Sequence, residues 1–359
     1  MVNEPTAEQR LQVLLARISA VDTAAAENTR AYLDTLTKPP GSLGELEALA
    51  IQLSAITGMA KPCVSPPHIM VFAADHGVAS EGVSAFPQAV TAQMVANFVQ
   101  GGAAINVFAR QIGAEVEIVD VGVASTLTLP GVTLAKVRAS TANMVVEDAM
   151  HADEALAAIE QGVAAVERAK KAGANCIIVG EMGIANTTAS SAMLAAFTGV
   201  PVAQVVGAGT GINTAQLANK VAVIERALSA RQANADDPLD VLAKLGGLEI
   251  AAMTGAYLAS AAHRTPAIVD GFIATVAALT ACRLCPLVRD YLIFGHRSHE
   301  PGHATALEAL DAKPLLSLGM RLGEGSGAAL AFPLLQAAAA MLSEMASFAD
   351  AGISNKAAR

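Results

Sequence analysis

Residues 68–77, HIMVFAADHG, carry six apolar positions in a row and then turn abruptly to an acid, an imidazole and a glycine. A half-buried strand would alternate apolar with polar; an uninterrupted run of this length fits a strand covered on both faces. Five further runs have the same build: EVEIVDVG (115–122), NCIIVGEMG (175–183), PVAQVVGAG (201–209), PAIVDGF (266–272) and YLIFGH (291–296). Helix-length segments lie between them, among them ADEALAAIEQGVAAVERAKKAG (152–173) and NTAQLANKVAVIERALSA (213–230). Strands separated by helices predict an α/β fold, with a parallel, Rossmann-like sheet and helices on both faces. Polar residues gather at the carboxyl ends of the runs: Asp75, His76, Asp120, Glu181, Asp270 and His296. Singly, such residues do no more than make turns. Together they mark the sheet edge where ligands of open α/β sheets bind.

Outside this core the chain reads as helix at both ends. Residues 7–36 place Leu11, Leu14, Leu15 and Ile18 at helical spacing, and TKPPGSLGELEALA (37–50) breaks the helix and restarts it. AFPLLQAAAAMLSEMASF (331–348) is helical again. Packing this segment on the N-terminal helix predicts a small helical lobe from residues 1–60 and 331–359, beside an α/β catalytic domain over 61–330. RQANADDPLD (231–240) reads as a surface loop.

Composition narrows the function. The 359 residues are 53% hydrophobic and 15% charged, enough for a large core and too apolar for disorder. A net charge of −9, scarce aromatics and no Trp argue against binding nucleic acid, through either phosphates or stacked bases. The N-terminus lacks a signal-peptide pattern, and no run approaches about 18 uninterrupted apolar residues. A cytoplasmic protein with no membrane partner is expected. Four cysteines make no disulfide framework at this length, and the Cys282–Cys285 pair lacks the two further ligands of a zinc site.

Five stretches can carry chemistry. In GMRLGEGSGAALAF (319–332) one carboxylate, Glu324, stands between two glycines and enters an apolar segment. Such an acid is paired or pushed toward neutrality, and a poised acid can be useful. GAGTGIN (207–213) follows an apolar run and opens a helix, where close glycines and helix amides can hold a phosphate. Lys220 lies two turns into that helix; it either reaches the anion or is solvated. GEMGIANTTAS (180–190) is a second turn of this kind, in which Asn186, Thr187 and Thr188 either cap the helix or hold another part of the ligand. GHRSHEPGH (295–303) brings together His296, His299 and His303 with Glu300. Pro301 and Gly302 keep His299 and His303 off a common helix face, so no metal is expected; a rigid loop presenting Ser298 is. Finally, residues 74–110 form a loop and helix in which Phe86, Pro87 and Gln88 can build an apolar slot for a flat heteroaromatic ring. Met94 and Phe98 read better as core.

Nine motifs in order carry a resemblance: TKPPGSLG (37–44), AADHGV (73–78), SAFPQAVTAQMV (84–95), GGAAINV (101–107), GEMGIANTT (180–188), GAGTG (207–211), GGLEIAAMTGA (246–256), GHRSHEPGH (295–303) and LGMRLGEGSGA (318–328). Over residues 37–330 the sequence resembles the nicotinate-nucleotide:dimethylbenzimidazole phosphoribosyltransferase family. One departure is Ala185, where the pattern has glycine. The resemblance implies an α/β domain, a helical lobe from the two termini and a homodimer. It also implies transfer of 5-phosphoribose from nicotinate mononucleotide to 5,6-dimethylbenzimidazole, giving α-ribazole 5′-phosphate and nicotinate, without a cofactor, in cobalamin nucleotide-loop assembly. Matched motif to motif, the catalytic base falls on Glu324. The base-binding slot falls on Ser84, Phe86, Gln88, Glu181 and Leu322. The nucleotide phosphate falls among Gly183, Asn186, Thr187, Gly209, Thr210, Gly211, Lys220 and Ser298. Two rivals stand beside this reading: a non-catalytic nucleotide-binding protein on the same sheet, and a metal-dependent hydrolase.

Overall fold

The computed structural model describes residues 5–209 and 211–354. Among these residues six parallel strands form one sheet: β1 (Pro67–Ala74), β2 (Glu115–Gly122), β3 (Val132–Leu134), β4 (Cys176–Met182), β5 (Ala267–Val269) and β6 (Leu292–Phe294). Their order across the sheet is β3-β2-β1-β4-β5-β6. This is the doubly wound order, in which the chain begins at the centre and winds outward first one way and then the other. The winding reverses between β1 and β4, so a crevice opens beyond their carboxyl ends.

The helices are α1 (Ala7–Arg17), α2 (Thr23–Leu33), α3 (Glu45–Thr57), α4 (Ala89–Gln100), α5 (Ala104–Ile112), α6 (Ala152–Lys171) and α7 (Asn186–Thr198) in the first part of the chain. They continue as α8 (Val202–Val205), α9 (Thr214–Arg231), α10 (Pro238–Leu245), α11 (Leu248–Ala262), α12 (Phe272–Leu284), α13 (Pro301–Ala309) and α14 (Ser326–Glu344). Alternate residues of β1 feed two separate cores. Met70, Phe72 and Ala74 face α1 and α6–α13. Ile69, Val71 and Ala73 face α2–α5 and α14. Both faces are covered, which is why the strand shows no polar alternation.

Three expectations change. PVAQVVGAG is not a strand: Pro201 stands as the N-cap of a short helix, VAQV becomes α8, and Val205 and Val206 bury themselves in the helix layer instead. The sheet takes its edge strand from VTL (132–134), too short to show a pattern. Residues 7–36 are two helices rather than one. Asp22 accepts a hydrogen bond from Ala25 N (2.9 Å) and restarts the chain, so that α1 serves one core and α2 the other. At the far end α14 packs against α3 and α5, and Leu36 bridges to Ser347. By length and composition α14 could cross a membrane, yet most of it is buried inside the molecule.

Candidate active site

Beyond the carboxyl ends of β4, β5 and β6 lies a cavity of about 360 Å³. One wall is apolar, with Phe86, Val90 and Met94 at the start of α4. The lining also holds the acids Glu181, Asp270 and Glu324 and the imidazole of His296. Met94 packs against the core as expected and also lines the cavity; Phe98, one turn further, is core as expected.

Glu324 owes its place to its glycines. Its φ is +64°, between Gly323 at +91° and Gly325 at +84°, so three residues in succession are left-handed. Glycine takes that conformation freely, whereas a side chain costs about 1–2 kcal/mol there. The turn is held from below: Asp270 accepts hydrogen bonds from Gly325 N through Oδ2 (3.2 Å) and from Ala328 N through Oδ1 (2.9 Å). The turn then runs straight into the first residues of α14. Glu324 is 4% exposed, and its Oε2 accepts from Ile105 N (3.3 Å). Burial raises its pKa above the ordinary 4.5, the charge of Asp270 adds to this, and the Ile105 hydrogen bond opposes it.

Glu181 ends β4 in the same lining. Burial, together with the charges of Glu249, Asp270 and Glu324, pushes its pKa up to about 8, against the amide of Asn186, which donates to its Oε2. At neutral pH Glu181 therefore keeps its proton. Behind it, on α11, Glu249 Oε1 lies 2.7 Å from His76 Nε2, and both side chains are buried. Glu249 escaped the sequence reading, although it gave the same signal as Glu324: one acid in an otherwise apolar segment, GGLEIAAMTGA.

The two glycine-rich turns meet on the cavity's far side. Gly183, Asn186, Thr187, Gly209 and Ser298 all line it. The turn at 180–190 does not cap its helix with side chains. Ala185 takes the cap position with φ +75°, Asn186 goes to Glu181, and Thr187 Oγ1 accepts from Lys220 Nζ at 2.8 Å. Ala185 thus holds, at a steric cost, the conformation that glycine would adopt freely. Lys220 is 1% exposed rather than solvated; its Nζ also reaches Gly207 O at 3.3 Å, and burial lowers its pKa to about 8. It lines a small adjoining cavity of about 30 Å³ with Ser84 and Thr187.

Not every expected residue faces the main cavity. Phe86 and Leu322 do, 48% and 57% exposed at its mouth. Ser84 faces the smaller cavity and accepts from Phe86 N (3.2 Å). Gln88 turns inward, its Nε2 lying 3.4 Å from both His76 O and Ser140 Oγ. Gly211 is exposed in its turn, and Thr210 lies outside the described residues. Asp120 proves structural: its carboxylate accepts from Gly122 and Val123 and pairs with Lys136 at 3.3 Å. Arg321, which lines the cavity and donates to Gly209 O (2.9 Å), was missed because nothing in its sequence setting distinguishes it from a solvated arginine.

The histidine-rich loop is a scaffold. Pro301 starts α13 instead of only breaking a helix, and places His303 on it while His299 stays outside, exposed. His303 Nδ1 accepts from Ser298 N (2.8 Å), and its Nε2 pairs with Thr275 Oγ1 (3.0 Å). Burial, with His296 and Arg297 nearby, drives its pKa down to about 3, so it is neutral and fixes Ser298. Among the described residues no group of three or more His, Cys, Asp and Glu is arranged to hold a metal ion.

A family model described as phosphoribosyltransferase matches residues 18–353. The nicotinate-nucleotide–dimethylbenzimidazole phosphoribosyltransferase of Halalkalibacterium halodurans is 52% identical over 346 residues, 96% of this chain and 97% of its own. That of Azotobacter vinelandii is 55% identical over 333 residues, 92% of this chain and 94% of its own. The crystal structure of CobT from Thermus thermophilus superimposes with a TM-score of 0.90 at 47% identity, covering 93% of this chain and all of that one. The motifs read from the sequence and the sheet order agree with these likenesses, and the chain belongs to the nicotinate-nucleotide–dimethylbenzimidazole phosphoribosyltransferase family.

Proposed function

We propose that this protein transfers 5-phosphoribose from nicotinate mononucleotide to 5,6-dimethylbenzimidazole, in the assembly of the cobalamin nucleotide loop. The observation that carries the reading is Glu324: a buried carboxylate with a raised pKa, lining a cavity that has apolar residues on one part of its lining and adjoins a smaller cavity lined by Lys220.

The chemistry asks little beyond this. The glycosidic nitrogen of the nucleotide is already a pyridinium, so nicotinate's ring leaves neutral and needs no general acid. One nitrogen of the benzimidazole attacks C1′ opposite the departing ring, which converts a β-nucleotide into an α-riboside. The other nitrogen must lose its proton, and Glu324 takes it. A base within hydrogen-bond reach contributes about 10²–10⁴-fold. Phe86, Met94 and Leu322 supply apolar contact for the flat acceptor. The start of α7, with Thr187, Gly209 and Lys220, is assigned the phosphate. Ser84, Gln88, Gly183, Asn186, Thr210, Gly211 and Ser298 belong to the same proposed pocket, with Glu181 at its acceptor end. A homodimer, a cytoplasmic location and the division into a helical lobe (1–60, 331–359) and a catalytic domain (61–330) belong to the same reading.

The test is an assay with nicotinate mononucleotide and a panel of bases, products identified by mass. α-Ribazole 5′-phosphate and nicotinate in equal amounts are expected. Nucleotide binding without any ribosylated product would overturn the proposal.

A further inference from the structure

Asp270 stands at the end of β5 beneath the turn it holds, with no part assigned to it in the transfer step, and three features converge on it. First, its two carboxylate oxygens divide between Gly325 N and Ala328 N, the amides on either side of the entry to α14. The first of these belongs to the residue directly after Glu324. Second, His296 at the end of β6 lies with Nε2 3.5 Å from Asp270 Oδ1, both side chains being almost fully buried. Its ring is pressed against Gly327, where an added Cβ would come within 2.5 Å of Cγ. Third, the turn that Asp270 grips contains a left-handed glutamate, a conformation that survives only where its surroundings enforce it.

We infer that Asp270, backed by His296, is the positioning residue of this site: it clamps the left-handed 323–325 turn so that the Glu324 carboxylate faces the acceptor. The inference rests on the transfer reading above.

The groups around the pair are consistent with this. Glu181 at the end of β4 holds its own proton at neutral pH and adds no full charge. Glu249 on α11 is engaged by His76, and Tyr257 on the same helix is a neutral phenol, its pKa driven up by burial and by Asp270. Burial raises Asp270, while His296 and the amides at Gly325, Gly327 and Ala328 favour its charge. Glu324, in turn, is raised first by burial and then by Asp270. Removing the Asp270 charge lowers the pKa of Glu324, so the acid limb of the rate profile moves to lower pH.

Steady-state transfer to dimethylbenzimidazole is measured from pH 5 to 9 for the wild type, Asp270→Asn and Asp270→Glu, with Glu324→Gln as control. Asp270→Asn should lower kcat on the order of 10²-fold, the scale of a misplaced catalytic group. Its nucleotide KM should stay close to that of the wild type, and its acid limb should shift downward. Asp270→Glu keeps the charge at the wrong length, so kcat should fall while the acid limb stays near the wild-type pH. A wild-type kcat in either variant overturns the inference. So does a lowered kcat in Asp270→Asn with an unmoved acid limb, which is the mark of a structural role only. If Asp270→Asn does not fold, Asp270→Glu decides alone through kcat and acid limb together. An inactive wild type would instead sink the transfer reading, independently of Asp270.

Discussion

Gly180 lies directly beneath the peptide of Glu324. A Cβ built on Gly180 would collide with the Glu324 carbonyl group and come within 2.6 Å of Gly325 N. The β4 backbone and the catalytic turn therefore touch with no room for a methyl group, and a strand glycine at this point marks that close approach.

Gly180→Ala is expected to push the 323–325 turn away from β4 and carry Glu324 with it. Overpacking of this kind costs about 1–3 kcal/mol of stability, and a shift near 1 Å at the base costs on the order of 10²-fold in rate. Thermal melting and kcat measured together test this. A variant that melts lower but turns over normally would show that the turn relaxes without moving the carboxylate.

Glu324→Gln should keep the fold, because the amide oxygen still accepts from Ile105 N, and should lose about 10²–10⁴-fold in kcat. In the wild type Glu324 must be ionised to take a proton. Its pKa is raised above 4.5, so kcat/KM should decline as pH falls through a value higher than that of an ordinary glutamate. Near-normal turnover in the variant would remove Glu324 from the role of base.

The sequence made the sheet legible because each strand serves two cores and is apolar throughout, as β1 shows. It misled at 201–209, where the same apolar richness belongs to a helix layer started by Pro201. Composition reports burial there, not conformation. Within the site, Glu324 was readable because a charge among glycines and alanines has no bland use. The same argument would have found Glu249, had it been applied to α11. Asp270 and His296 were visible only as members of a polar sheet edge. Their function depends on which amides and rings stand opposite, and those partners lie 55 residues away for Gly325 and 58 for Ala328. The burial of Lys220 was similarly hidden, since it depends on two turns that meet only in the fold.

Lys220→Met keeps most of the side chain's packing and removes the cation. A hydrogen bond to a charged group contributes about 1.5–3 kcal/mol, so the nucleotide KM should rise roughly ten- to a hundredfold with kcat changed less. The depressed pKa of Lys220, about 8, adds a signature: the cation is lost as pH rises through that value. The wild-type KM for the nucleotide should therefore climb between pH 7 and 9, while the variant's stays flat over that window. Identical KM values at pH 7 would place the phosphate elsewhere.

Glu181→Gln gives a stability prediction whose sign is set by the direction of the shift. The folded pKa of about 8 exceeds the unfolded value near 4.5, so the folded state holds this proton more tightly. Its contribution is fully present below the unfolded pKa, declines by about 1.4 kcal/mol for each pH unit above it, and is gone once pH passes the folded pKa. Glutamine mimics the protonated form at every pH and has no such dependence. Urea unfolding at pH 5, 7 and 9 should thus show the variant close to the wild type at pH 5 and progressively more stable than it toward pH 9. Groups distant from this cluster are common to both proteins and cancel in the difference; Glu249, Asp270 and Glu324 interact with Glu181, so the pH-dependent difference belongs to the cluster as a whole. A difference that stays constant with pH would mean that Glu181 is ionised in the folded protein and adds a further negative charge to the acidic wall of the cavity.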